Sequence, residues 1–128
     1  MTVNSLCNAY LTALNTADLT AVQSMFTPDA VVLSPLYGTR KASEFYADLF
    51  ADTTQSKTTL INVFDTSENS ASIALHFHYQ WTLNGGKIVT FECVDVFELS
   101  DDKTQFKKLT IIYDTAPLRS DFDVSKAR

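Results

Sequence analysis

Between Ala71 and Leu99 the chain alternates apolar and polar residues almost without interruption, turning once at Asn84-Gly85-Gly86. Alternation with period two puts successive side chains on opposite faces of a strand, and a short Gly-containing connection joins antiparallel neighbours. The two runs, Ala71–Leu83 and Lys87–Leu99, therefore predict a long hairpin with two unlike faces. Ile73, Leu75, Phe77, Tyr79, Trp81 and Leu83 share one face of the first strand, opposite Ser72, Ala74, His76, His78, Gln80 and Thr82. On the second strand Val89, Phe91, Cys93, Asp95, Phe97 and Leu99 fall together, opposite Ile88, Thr90, Glu92, Val94, Val96 and Glu98. A face this aromatic must be covered by other elements of the chain.

The N-terminal half supplies the cover. Val3, Leu6, Cys7, Tyr10 and Leu14 recur at helical spacing, and Asn15-Thr16 ends that helix. Asp18 reads as the N-cap of a short second helix with Val22, Met25 and Phe26 turned inward. Thr27-Pro28-Asp29 reads as a turn, and Ala30–Leu33 as a short strand stopped at Ser34-Pro35, since proline lacks a ladder N–H. After Gly38, residues Ala42, Phe45, Tyr46, Leu49 and Phe50 fit a third helix. Further strands are expected over Thr58–Phe64 and Phe106–Tyr113, bounded by Asp65–Ser70 and Ser100–Lys103. In the last strand Leu109, Ile111 and Tyr113 point inward, leaving Lys108, Thr110, Ile112 and Asp114 outward.

Helices first and a strand meander afterwards make an α+β domain, with a curved antiparallel sheet folded around N-terminal helices. The expected domain covers residues 1–115. Residues 116–128 read as a polar tail, partly mobile, with only Leu118, Phe122 and Val124 to anchor it. A chain of 128 residues suits one domain that buries roughly two-thirds of its unfolded surface.

Charge and composition exclude several functions. The net charge is −5 and the ten basic residues are scattered, so no phosphate-neutralising surface for nucleic acid is visible. No apolar run approaches bilayer-spanning length. Met1-Thr2-Val3-Asn4 begins no basic-then-apolar segment, so no signal peptide and a cytoplasmic location are expected. Cys7 and Cys93, far apart, read as buried reduced thiols, and the three glycines form no phosphate-binding loop. His76 and His78 share a strand face as a metal pair would, but it is the face opposite the aromatic one. They are expected on a solvated or subunit-facing surface, with no metal and no cofactor.

One charge stands in the inward apolar set, Asp95. The lysines and arginines sit mostly near turns and strand ends, and none is obviously placed to pair with it. Burying an ionised carboxylate requires a cation or several donors. Without them, desolvation raises the pKa and a neutral, hydrogen-bonding Asp95 is expected.

The stretch Tyr10–Leu19, the run Met25–Val32, Gly38, Glu44-Phe45-Tyr46 and Val94-Asp95-Val96-Phe97, in that order and spacing, resemble the nuclear transport factor 2-like superfamily. The likeness is to its SnoaL-like and ketosteroid isomerase-like branches and covers roughly Leu6 to Asp114. It implies a cone-shaped, cystatin-like mixed sheet around a pocket, and dimerisation through the outer sheet face near Thr90, Val94, Val96, His76 and His78. It matches Tyr10 to the tyrosine that donates to a substrate oxyanion, Tyr46 to the tyrosine supporting it, and Asp95 to the protonated second donor. The family's general base, an aspartate before a proline, falls on Ser34. A serine hydroxyl with no neighbouring histidine cannot shuttle a carbon-bound proton at neutral pH.

Two functions fit these residues. In the first, a small hydrophobic molecule bearing a carbonyl, enol or phenol oxygen binds at Tyr10 and Asp95. Ser34, Phe45, Tyr46, Leu75, Phe77, Tyr79, Trp81, Phe91, Phe97, Ile111 and Tyr113 then line or close the pocket. An enzyme built this way would be an isomerase, cyclase or lyase without a cofactor. In the second, the domain is a non-catalytic dimerisation or interaction module whose cavity its own side chains fill.

Overall fold

The computed structural model describes residues 2–66 and 71–126. Helix α1 spans Val3–Asn15 and starts where the Thr2 hydroxyl accepts from the Ser5 N–H at 3.1 Å, satisfying a donor that the first turn leaves unpaired. Its buried stripe is Leu6, Cys7, Tyr10, Leu11, Ala13 and Leu14. Helix α2, Leu19–Ser24, carries the expected Asp18 cap, whose carboxylate accepts from Ala21 N–H at 3.1 Å. Helix α3 is Ala42–Ala51 and buries Ala42, Phe45, Tyr46 and Leu49.

Six strands form one sheet in the order β2-β1-β6-β5-β4-β3. They are β1 Phe26–Ser34, β2 Gly38–Lys41, β3 Thr53–Asp65, β4 Ser72–Leu83, β5 Ile88–Leu99 and β6 Phe106–Ile112. All neighbours are antiparallel except β1 and β6, so the sheet is mixed. The β4–β5 hairpin has the predicted faces: Ile73, Leu75, Phe77, Tyr79, Trp81 and Leu83 are all buried. Gly85 and Gly86 turn it at φ +98° and +96°, a region that a side chain would strain.

Several expectations are corrected. Thr27-Pro28-Asp29 is not a free turn but lies within β1, whose register against β6 shifts between Phe26 and Val31. Proline's missing N–H is tolerated at such an irregularity. Phe26 is buried from β1, not from α2. Strand β2 was not expected from the sequence, because Gly38-Thr39-Arg40-Lys41 is short and polar and pairs only at the sheet edge. Strand β3 begins at Thr53, five residues before the apolar signal, held in register by β4. Most of the expected connection Asp65–Ser70 lies outside the described residues, as do Ala127 and Arg128 of the tail.

The tail is ordered into a fourth helix, α4, over Arg119–Lys126. Leu118 and Phe122 anchor it in the core, whereas Val124 is 63% exposed. The Phe122 ring packs on Tyr37 at 5.3 Å and on Trp81 at 5.8 Å between centroids. Lys126 closes the contact with an ion pair to Asp52 at 3.0 Å. No helix of the described residues is long and apolar enough to cross a membrane.

Candidate functional site

Asp95 sits at the middle of β5, with Leu75 of β4 opposite it on one side and Ile111 of β6 on the other. Both neighbours are aliphatic, and the carboxyl is 2% exposed. Its hydrogen-bond partners among the described residues are the Tyr10 hydroxyl, 3.3 Å from Oδ2, and the Cys93 thiol, 3.1 Å from Oδ1. Burial pushes the Asp95 pKa up to about 7, and donation from Cys93 and Tyr10 only partly opposes that rise. The group is therefore a hydrogen-bond donor below pH 7 and a poorly solvated anion above it.

Tyr10, on the inner face of α1, lies 2.7 Å from the Tyr46 hydroxyl on α3. A phenol has one proton, so Tyr10 can serve Asp95 or a ligand only when Tyr46 donates to it. Burial is the largest cause lifting both tyrosines well above their ordinary pKa, which keeps each a neutral donor. Phe97 meets the Tyr10 ring edge-on at 5.0 Å and stacks on Phe106 at 4.0 Å, fixing the tyrosine's direction. Cys93 and Cys7 are free buried thiols. Desolvation first, then the Asp95 charge, raises Cys7 to about 11 and Cys93 higher still, so neither is an activated nucleophile.

These groups open onto a narrow cleft with a cavity volume of about 40 Å³. Ten of the sequence-selected residues line it: Tyr10, Ser34, Phe45, Phe77, Tyr79, Trp81, Phe91, Asp95, Ile111 and Tyr113. Tyr79, Phe91 and Tyr113 form one stacked wall, with centroids 5.3 and 4.4 Å apart. Three selected residues are corrected: Tyr46, Leu75 and Phe97 are buried behind the lining rather than in it. Tyr46 acts through Tyr10, Leu75 flanks Asp95 within the sheet, and Phe97 packs under the Tyr10 ring.

Leu14, Tyr37, Leu49 and Cys93 also line the cleft and were not selected. Three of them belonged to buried stripes already recognised in the sequence. Tyr37 had a weaker signal, an aromatic residue between Pro35 and Gly38 in a connection where nothing local would bury it. Its hydroxyl donates to Asp52 at 2.6 Å, and its ring packs on Phe45 at 5.4 Å. Ser34 Oγ accepts from the backbone N–H groups of Leu36 at 3.2 Å and Tyr37 at 3.1 Å, which organises that turn.

His76 and His78 stand on the outer face, where His76 Nδ1 is 3.3 Å from the Asn62 amide and Nε2 is 3.9 Å from Glu92. Asp114 points outward and accepts from the Ala116 N–H. Among the described residues no group of three or more His, Cys, Asp or Glu side chains is placed to hold a metal.

A model of the SnoaL-like domain matches residues 7–105. The chain belongs to the SnoaL-like domain family. Solved structures share its nuclear transport factor 2-like, ketosteroid isomerase-like fold. One is a nuclear transport factor 2-like protein of unknown function from Cytophaga hutchinsonii, 21% identical over 93% of this chain and 96% of that one, TM-score 0.72. A second, from Catenulispora acidiphila, has a ketosteroid isomerase-like fold and is complexed with trimethylamine; it is 13% identical over 88% of each chain, TM-score 0.75. TerC, co-crystallised with polyporic acid, is 15% identical over 94% of this chain and 97% of that one, TM-score 0.76. At such identities the likeness shows the fold alone. No functionally curated protein matches the chain.

The site of this SnoaL-like domain makes stability depend on pH. Below about pH 4 Asp95 is protonated both folded and unfolded. Between 4 and 7 the unfolded chain releases the proton while the folded one keeps it, so stability falls as pH rises, and above 7 the full penalty is present. A rise from 3.8 to about 7 corresponds to a loss on the order of 4 kcal/mol. Asp95→Asn removes the ionisation and keeps the shape. Chemical denaturation at pH 5 and pH 8 should show the wild type weakening and the variant the more stable of the two at pH 8. Parallel profiles would contradict this account of the carboxyl.

Proposed function

We propose that this SnoaL-like domain binds a small, flat, hydrophobic molecule through a carbonyl, enol or phenol oxygen, which accepts hydrogen bonds from Tyr10 and Asp95. The observation that carries the reading is Asp95: a carboxyl 2% exposed, on the wall of an aromatic cleft and paired only with neutral donors among the described residues. Buried carboxyls without cations are unfavourable for folding, and sites of function are where such groups concentrate. The narrow cleft beside the Tyr79–Phe91–Tyr113 stack favours planar rings. A fold neighbour co-crystallised with polyporic acid is in keeping with it.

Two O–H donors aimed at one oxygen stabilise the charge that develops when a carbonyl becomes an enolate. Isomerisation, cyclisation or elimination carried by side chains alone is the chemistry such a site serves. The carboxylate that would accept the proton in the resembled isomerases has no counterpart at its place in the cleft lining. Ser34 occupies that place, and its oxygen already accepts two backbone N–H bonds. Binding and polarisation of the ligand oxygen are therefore the primary assignment, with turnover reserved for substrates that supply their own base or lose their proton easily.

The test uses Trp81, the one tryptophan of the chain and part of the cleft wall, as a fluorescent reporter. A nitrophenol already ionised at pH 5 should bind with constant affinity up to about pH 6. Above pH 7, as Asp95 loses its proton, affinity should fall about tenfold per pH unit. Asp95→Asn keeps a donor and should flatten that profile, and Tyr10→Phe should weaken binding at every pH. Absence of binding at pH 6, or a flat wild-type profile, would remove the assignment.

Self-association belongs, in this reading, to the outer sheet face. Ile112, 53% exposed, pairs with Val94, while Phe64, 56% exposed, pairs with Ala74, next to Val96 on the following strand. Exposed apolar side chains in adjoining rows are what a partner surface would cover. Sedimentation should give a dimer for the wild type and a monomer for Ile112→Glu. A wild type that stays monomeric at high concentration would rule the interface out.

A further inference from the structure

A second cavity, with a volume of about 230 Å³, lies between the C-terminal end of α1 and the start of β3. Among the described residues, Leu14 is the single one lining both this cavity and the aromatic cleft. Two hydrogen bonds link the walls of the two cavities. Ser56, on the second cavity, shares a 2.7 Å bond with the Tyr79 hydroxyl on the cleft. Thr53, also on the second cavity, accepts from the Trp81 indole N–H at 2.7 Å. The partition is thus one aliphatic side chain, 2% exposed, accompanied by two hydrogen-bonded pairs.

The two compartments differ in chemistry. The cleft is aromatic and ends in the Tyr10–Asp95 donors. The second cavity has no charged side chain in its lining and is polar along Thr53, Thr54 and Gln55. There Asn15 Oδ1 accepts from Thr58 N–H and Oγ1, at 2.9 and 3.0 Å, leaving its amide N–H groups uncommitted among the described residues. Gln55 likewise has no side-chain partner among the described residues.

We propose that Leu14 is a specificity-determining residue that closes the cleft against the second cavity and restricts ligands to compact ring systems. With Leu14 in place, an alkyl chain running from the ring toward α1 meets its side chain. With Leu14 shortened, the chain passes into the second cavity, where a terminal hydroxyl or amide finds the Asn15 and Gln55 amides. The inference rests on the preceding assignment of a phenol-type head group to Tyr10 and Asp95, and adds the size class of that ligand.

The experiment is a ladder of 4-alkylphenols of increasing chain length, with a parallel ladder ending in a hydroxyl, titrated at pH 6 against wild type, Leu14→Ala and Leu14→Val. Melting curves confirm that each variant is folded, and the milder valine change serves if alanine does not fold. Each methylene buried should tighten binding about fourfold. In the wild type that gain should stop abruptly after the first few carbons. In the folded variants it should continue to longer chains, and the hydroxyl-ended ladder should gain most. If short phenols bind the wild type but the cut-off stays fixed in both variants, the partition is refuted while the head-group assignment survives. If no phenol of any length binds the wild type, both are refuted.

Discussion

A carboxyl held in the middle of an apolar sheet face, with no cation beside it among the described residues, is the constraint around which this domain is arranged. Asp95 lies between two aliphatic cross-strand neighbours, and its polar contacts reach across the core: Tyr10 from α1, supported by Tyr46 from α3, and Cys93 from its own strand. The helices therefore do more than cover the sheet. They bring two phenol hydroxyls to the place where the sheet buries a carboxyl. The surroundings are mainly aromatic and aliphatic side chains, which limit competition from water for those hydrogen bonds and strengthen each. The same exclusion of water raises the Asp95 pKa, which makes the group useful as a donor and unfavourable for folding once it ionises.

The mouth of the cleft is organised by a separate set of contacts. Tyr37, in the turn after Ser34, reaches Asp52 at the end of α3, and Asp52 also pairs with Lys126 of α4. Phe122 fills the space between Tyr37 and Trp81. The C-terminal helix in this way backs two residues that line the cleft, although the matched family region ends at residue 105.

Legibility in the sequence followed burial. Long strands with one buried face announce themselves through alternation, so β4, β5 and the inward direction of β6 could be read with the face of every residue. Asp95 could be read because a lone charge breaks a strict apolar pattern. The irregular β1 and the short edge strand β2 could not, since pairing with neighbours rather than local pattern makes them strands. Helix α4 was obscured by its polar composition: two anchors, Leu118 and Phe122, suffice because they enter a core built by other elements. Within the site, position along the chain separated inward from outward residues but not lining from backing. Tyr46, Leu75 and Phe97 point inward like their neighbours, and only the three-dimensional arrangement leaves them out of the cleft lining.

The central claim is that Asp95 holds its proton near neutrality in a pocket whose described lining carries no cation. Carbon-13 NMR of the side-chain carboxyls, with Asp95→Asn to identify the resonance, measures this directly. The account predicts a carboxyl that titrates with a midpoint near pH 7. An Asp95 resonance fully ionised at pH 5.5, with an ordinary midpoint near 4, would contradict it.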